Sequence, residues 1–177
     1  MTAPPTPAVR RLTEVSDEQV RGLAELLIDC IAGGAGVSFM HPLAPATAEA
    51  FWHDVAADVA GGKRALLVAE DASGIAGTVQ LLLAQPDNQP HRADLAKMLV
   101  HRRARRQGLG TALMRAAERV ALECGKTLLV LDTVTDSDAD RLYARLGWEP
   151  VGVIPGYSLM PYGGLTGTRY YYRDLSG

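Results

Sequence analysis

Residues 105–111, Arg-Arg-Gln-Gly-Leu-Gly-Thr, set cations and glycines immediately ahead of a helical pattern. Such a turn captures anions. The first N–H groups of a helix lack internal partners, and the helix dipole adds partial positive charge at that end. Gly108 and Gly110 carry no Cβ, so a phosphate or pyrophosphate can approach the backbone and rest on a nest of amides. A tight structural turn would account for two glycines equally well. Two other phosphate loops do not fit. A P-loop requires Lys after its last glycine, and Thr111 stands there; a dinucleotide fingerprint requires a third glycine where Leu113 stands.

Three further residues could do proton chemistry. Asp132 closes the apolar run 127–131, which reads as a strand buried on both faces. Open α/β sheets place ligands beyond the carboxyl ends of their strands, a location suited to a general base. Asp94 enters the strand that leads into the anion loop and is a second candidate base. Either is also explained as a strand-end carboxylate bonded to nearby amides. Tyr143 lies in a short helix with Ala139, Leu142 and Leu146 on one face, and by periodicity alone it is a core aromatic. His41, His53, His91 and His101 fall at no metal-ligand spacing, so no metal site is expected. His101, beside the anion loop, is the histidine placed to touch a bound anion.

The elements that position these residues are legible. A strand over residues 95–101 precedes the loop, and a helix over 109–124 follows it. Leu109, Leu113, Ala117, Val120 and Cys124 make one apolar stripe, with Arg115, Glu118, Arg119 and Glu123 facing elsewhere. Gly125 ends the helix. Upstream, a strand over 9–15 leads into a helix opened by Ser16 and Gln19 as a capping box, with Val20, Leu23, Leu27, Cys30 and Ile31 inward. Thr47 is placed to cap a second helix with Phe51, Trp52, Val55 and Val59 on its apolar side. Residues 64–70 and 75–84 form a hairpin around Asp-Ala-Ser-Gly. Downstream, a helix over 137–146 closes at Gly147, and strands over 151–154 and 168–174 flank a Gly/Pro-rich loop at 155–164. The order β-α-α-β-β-β-α-β-α-β-β predicts an α/β fold: a mixed central sheet of about seven strands with helices on both faces.

Composition agrees. The 177 residues, 47% hydrophobic and 21% charged, fit a single globular domain over 1–177, with residues 1–7 expected to be a disordered tail. A net charge of −2 argues against nucleic acid as a partner. No apolar run approaches the roughly 20 residues of a membrane span, so no membrane partner is expected. The N-terminus lacks the apolar core of a signal peptide. Cys30 and Cys124 each sit on the apolar side of a helix, the pattern of free thiols in a reducing cytoplasm. Tyr170, Tyr171 and Tyr172 give the final strand the character of either a homodimer edge or a core strand.

Arg105-Arg-Gln-Gly108-Leu-Gly110 resembles the Arg/Gln-x-x-Gly-x-Gly/Ala acyl-CoA loop of the GNAT superfamily of N-acetyltransferases, and the strand, loop and helix come in that family's order. The segment Tyr143-Ala-Arg-Leu-Gly147-Trp148 resembles the family's Tyr-x-x-x-Gly-Phe, with Trp for the common Phe. The resemblance implies acetyl-CoA as co-substrate and a small-molecule amine as acceptor. Leu99 and Val100 would pair with the pantetheine arm, and the amides of Arg105, Arg106, Gln107, Gly108, Leu109, Gly110 and Thr111 would hold the pyrophosphate. Tyr143 would be the acid, with Asp132 or Asp94 as base. Segments 33–40, 92–100, 131–133 and 155–157 are similar, more narrowly, to family members that acetylate an amino-acid-like toxin. That likeness implies Ser38, Phe39, Met40 and Tyr157 as acceptor-pocket lining and a role in toxin or antibiotic resistance. A protein N-terminus or lysine as acceptor, and a non-catalytic acyl-CoA sensor, are the alternative expectations.

Elementary energetics bear on these roles. Freeing an α-amine of its proton costs about 1.4 kcal/mol per pKa unit above the working pH, whereas a lysine-like amine costs about 4–5 kcal/mol. Full proton transfer from a phenol to a thiolate is uphill by about 2 kcal/mol on reference pKa values, so a hydrogen bond that strengthens as the thiolate forms is the better role for Tyr143.

Overall fold

The computed structural model describes residues 7–177, so the tail expected at 1–7 lies, apart from Pro7, outside the described residues. The elements run β1 (Val9–Leu12), α1 (Asp17–Ala32), α2 (Pro45–Ala60), β2 (Arg64–Asp71), β3 (Gly74–Leu82), β4 (Arg92–Val100), a 3-10 turn at Arg102–Ala104, α3 (Leu109–Glu123), β5 (Leu128–Val134), α4 (Asp138–Arg145), β6 (Glu149–Leu159) and β7 (Leu165–Asp174). They build a seven-stranded sheet in the order β1-β2-β3-β4-β5-β7-β6. Every neighbouring pair is antiparallel except β4 and β5. This is the mixed sheet that the element order predicts.

Two cores sandwich the sheet. Along β2 the side chains alternate: Ala65, Leu67 and Ala69 join the core under α3, while Leu66 and Val68 join the core under α1 and α2. A strand covered on both faces must be apolar in both phases, and this one is. The stripe of α3 packs as its spacing requires, with Leu109, Leu113 and Ala117 at most 1% exposed. Glu118 differs from expectation. It is only 8% exposed, accepting from the Trp148 indole Nε1 at 3.2 Å and from Arg115 at 3.0 Å. The indole thus gives a buried carboxylate a partner that a phenyl ring could not.

The local signals of α1 hold: Ser16 and Gln19 form the capping box. Helix α2 begins ahead of Thr47, because Pro45 occupies its first turn with φ already set for a helix and its missing N–H not needed there. The first strand is shorter than residues 9–15, ending at Leu12. The first half of the stretch at 155–164 is strand, and only 160–164 is the loop. Strand β6 continues to Leu159, and register breaks between Pro150/Gly152 and Ile154/Ser158 absorb the Pro and Gly residues. Nor is β7 a dimer edge: it lies between β5 and β6, with Tyr171 buried in the core and β6 at the rim.

The departure from regular geometry that matters most is in β4. Between Thr78↔Leu99 and Gln80↔Ala96, β4 spends one more residue than β3, with Lys97 at φ 49. A bulge of this kind reverses the side-chain alternation beyond it. Ala93 and Leu95 accordingly face the α3 core, while Leu99, which even spacing would put beside them, faces α1 and α2. Strand β4 pairs with β5 only at Arg92–Asp94 against Leu128–Val130. Beyond that point the two parallel strands part, and the sheet is split.

Helix α3 is seated tightly against β3 beside this split. A Cβ on Gly77 would lie 2.9 Å from Leu113, 3.1 Å from Leu109 and 3.2 Å from the Leu99 carbonyl. Gly77→Val should therefore lift the start of α3 off the sheet and lower stability by about 1–3 kcal/mol, measured as a shift in the urea midpoint without a change in slope.

Candidate active site

The anion loop is fixed from below before it can hold anything. His101 Nδ1 accepts from the Arg103 N–H at 3.2 Å, starting the 3-10 turn, and Ala104 is buried beneath it. Arg102 pairs with Asp29 at the end of α1 (2.8 Å), and Arg103 with Asp71 in the β2–β3 hairpin (3.1 Å). Hydrogen bonds from Arg103 hold the Asp71 carboxyl below the usual range. Burial pushes Asp29 upward, but bonds from Arg102 and the charge of His101 outweigh it and keep the carboxyl low. Two of the four arginines thus anchor the loop, and Arg105 and Arg106 remain for the cleft. Burial lowers the His101 pKa, so near neutral pH the ring is uncharged and serves as an acceptor.

Arg106 and Gly108 both adopt left-handed backbone, at φ 57 and 81. Gly108 is the N-cap of α3, and no side chain caps the first turn. The N–H groups that open α3 are therefore presented as a bare nest. Gly110 lets α4 come close, since a Cβ there would meet Leu142 at 3.0 Å.

The loop opens into a cleft of about 570 Å³ that follows the split between β4 and β5. It gathers Leu99, Val100, Arg105, Arg106, Gly108, Leu109, Gly110 and Thr111 from the expected set. Gln107 is turned from it, its amide donating to the Arg103 carbonyl at 3.1 Å. The Val100 carbonyl accepts from Arg105 Nε at 3.1 Å and from the Cys30 thiol at 3.6 Å. Two walls were not anticipated. Residues 33–37 cross from α1 to the end of β5, where a Cβ on Gly36 would lie 2.6 Å from Val134. The start of α4 supplies Ser137, Arg141 and Leu142 opposite them. A helix beginning near Ser137 was readable in the sequence, but its nearness to the split was not.

The proton-handling residues stand apart from these walls. Tyr143 is 4% exposed, its ring 6.1 Å from Trp148 and 6.0 Å from Tyr171, and its hydroxyl makes no hydrogen bond among the described residues. Burial first, and then the negative charge of Asp132, push its pKa well above that of an ordinary phenol. Asp132 is exposed and accepts from Thr168 Oγ1 at 3.1 Å. Asp94 is tied down, taking a hydrogen bond from Gln85 at 3.1 Å and an ion pair from Arg92.

Leu129 and Leu131 face the α3 core, so Asp132 faces the other side of the sheet, together with Tyr170, its register partner on β7. There the Tyr157 and Tyr170 hydroxyls meet at 3.1 Å. Ser38 accepts from Lys97 at 3.2 Å, and Phe39 packs edge-on to Phe51 at 5.4 Å. Met40 is half-exposed. The structure therefore places Asp94 and Asp132 on the sheet face away from α3, and none of Asp94, Asp132, Ser38 or Tyr157 lines the cleft. Lys97 was missed. Its signal was an ionisable residue in core phase with Leu95 on a buried strand.

The molecule is thus a split mixed sheet with an uncapped helix N-terminus opening onto the cleft beside the split. The chain belongs to the GNAT acetyltransferase family, whose model (Acetyltransferase (GNAT) family) matches residues 38–148, and it is an N-acetyltransferase. Solved structures share the fold over nearly the whole chain. An N-acetyltransferase from Staphylococcus aureus Mu50 is 15% identical with a TM-score of 0.77, covering 95% of this chain and 99% of its own. The yncA protein of Salmonella typhimurium, with its cofactor acetyl-CoA, is 17% identical with a TM-score of 0.77, covering 97% and 95%. A GCN5-related N-acetyltransferase from Kribbella flavida is 22% identical with a TM-score of 0.76, covering 95% and 98%. Among the described residues no helix is long and apolar enough to cross a membrane, and no three His, Cys, Asp or Glu side chains gather as metal ligands.

Cys30 gives a chemical handle on the cleft. Burial raises its pKa to about 11, so at pH 8 far less of it is thiolate than of an ordinary cysteine. In the native protein iodoacetamide should modify Cys30 at least about a hundredfold more slowly than in the unfolded chain, with mass spectrometry following each thiol.

Proposed function

We propose that the protein transfers an acetyl group from acetyl-CoA directly to the amine of a small, amino-acid-like acceptor. The observation that carries this reading is the split between β4 and β5, with the nest of amides at residues 108–111 opening onto the cleft that follows it. The uncapped first turn of α3, flanked by Arg105 and Arg106, fits a diphosphate. The edges of β4 and β5 freed by the split fit the amide-bearing pantetheine arm. Acetyl-CoA bound there would supply an activated acetyl carbonyl. The yncA structure with acetyl-CoA supports the same assignment by likeness of fold.

Asp132 is the better base. One of its oxygens is satisfied by Thr168 and the residue is open to solvent, so it can take a proton from an acceptor ammonium directly or through water. Asp94 already neutralises Arg92, which suits a structural role. The raised pKa of Tyr143 keeps its proton in place, so the phenol can donate a hydrogen bond to a departing sulfur without ionising first. The segment at 38–40 closes onto Lys97 and Phe51, and this supports a small acceptor over a polypeptide, which would need an open groove. Similarity of segments 33–40, 92–100, 131–133 and 155–157 to the tabtoxin resistance protein supports an amino-acid-like acceptor and a protective role against such compounds.

Tyr143→Phe should cut kcat by about ten- to a thousandfold while acetyl-CoA affinity, read by calorimetry, stays within about twofold. Equal loss of both would mean that the hydroxyl serves binding alone. Asp132→Asn should lower kcat/KM about a hundredfold, whereas Asp94→Asn should cost stability more than turnover. Because the Tyr143 pKa is raised, its acid form persists as pH climbs. The kcat profile should show no falling limb below about pH 9.5, and one centred near pH 8 would remove Tyr143 from the role.

A further inference from the structure

The bulge in β4 does more than part the sheet: it turns Lys97 onto the acceptor side. Its ammonium donates to Ser38 Oγ at 3.2 Å and lies 5.5 Å from the centre of the Phe51 ring. Neither is an anion, and Lys97 forms no ion pair among the described residues. Beside it on β3, Gln80 pairs in register with Ala96 and is fully buried. Its Oε1 accepts from Arg64 at 2.6 Å, which leaves Nε2 buried with no partner. A cation and an amide donor without counterparts on one face of the sheet make a donor-rich floor. The negative charge on the same face comes from Asp132, close enough to stabilise the charged form of Lys97 against the burial that opposes it. Asp94 is already matched by Arg92.

We propose that Lys97, with the Ser38 hydroxyl, is the subsite for a carboxylate on the acceptor, so that the enzyme selects zwitterionic amino acids over simple amines and polyamines. The amine end lies toward Asp132 and the carboxylate end over Lys97. A substrate with both charges meets a site with the complementary two, whereas an amine without a carboxylate leaves Lys97 desolvated and unmatched. This rests on the acetyltransferase reading and adds to it the residues that recognise the acceptor's carboxylate.

The test uses the purified enzyme, acetyl-CoA and the common α-amino acids, each assayed by thiol release beside its carboxamide and its decarboxylated amine. The inference expects turnover concentrated among the acids, with kcat/KM at least about tenfold above the matched amide. Lys97→Met should raise KM for the best acid about ten- to a hundredfold, leave kcat within a few-fold, and erase the acid-over-amide preference. Lys97→Arg should restore part of it. Calorimetry should give unchanged acetyl-CoA affinity in both variants, showing that they fold. Equal use of acid and amide by the wild type overturns the inference, as does an unaltered preference in Lys97→Met. Turnover of none of the acids by protein that binds acetyl-CoA also overturns it. Failure to bind acetyl-CoA overturns the acetyltransferase reading beneath it.

Discussion

One surplus residue in β4 governs the architecture. Parallel strands hold together through evenly spaced hydrogen bonds, and β4 and β5 have them only over Arg92–Asp94 and Leu128–Val130. At Lys97 the left-handed backbone inserts a residue that β3 does not match, and the strand bends away. Backbone groups that would otherwise be consumed in the sheet become available to a ligand. A slot in the middle of a sheet is costly for a fold, since buried peptide groups must find partners somewhere. The molecule tolerates it because the surrounding layers are well filled, with Trp52, Leu67, Leu113 and Leu129 at most 1% exposed.

The slot also separates two electrical environments. On the α3 side, Arg105, Arg106 and the uncapped N–H groups make one end of the cleft positive. On the far side, Asp132, Lys97 and the bonded pair Tyr157–Tyr170 form a smaller mixed-charge floor. Tyr143 belongs to the first side by packing and to the second by electrostatics, since its ring sits with Trp148 and Tyr171 while its ionisation responds to Asp132.

Much of this was legible in residue order. The capping box at Ser16, the stripe of α3, the left-handed Gly125 and the hairpin at Asp71–Gly74 each follow from local rules, and each is present. So was the glycine turn that opens α3 without a side-chain cap, because its geometry is set within a few consecutive residues. Element ends were misread locally, as at Pro45 in α2 and Leu12 in β1, but the misreadings that bear on the site were long-range. Glu118 looks like a surface residue until Trp148, thirty positions on, brings an indole N–H to it. Arg102 and Arg103 stand just ahead of the cationic turn, but Asp29 and Asp71, from two other elements, claim them. Lys97 sits in an unremarkable strand until the bulge turns it over. Residues 33–37 reach the cleft only because α1 ends above the split. Periodicity sees one element at a time, and these roles are set by what the neighbouring element contributes.

The rim formed by β6 has a bearing on how the protein survives at high concentration. A long outer strand carrying exposed Val151, Val153, Ile154 and Leu159 is the kind of surface on which chains stack into fibrils. Here Pro150 and Pro155 remove two donors from that strand, and its two register breaks bend what remains. Another chain would find no straight row of peptide groups to copy. The same prolines and glycines that make this stretch read as a loop thus act as a guard against templated aggregation, a burden that falls on any enzyme whose sheet stops at an apolar margin.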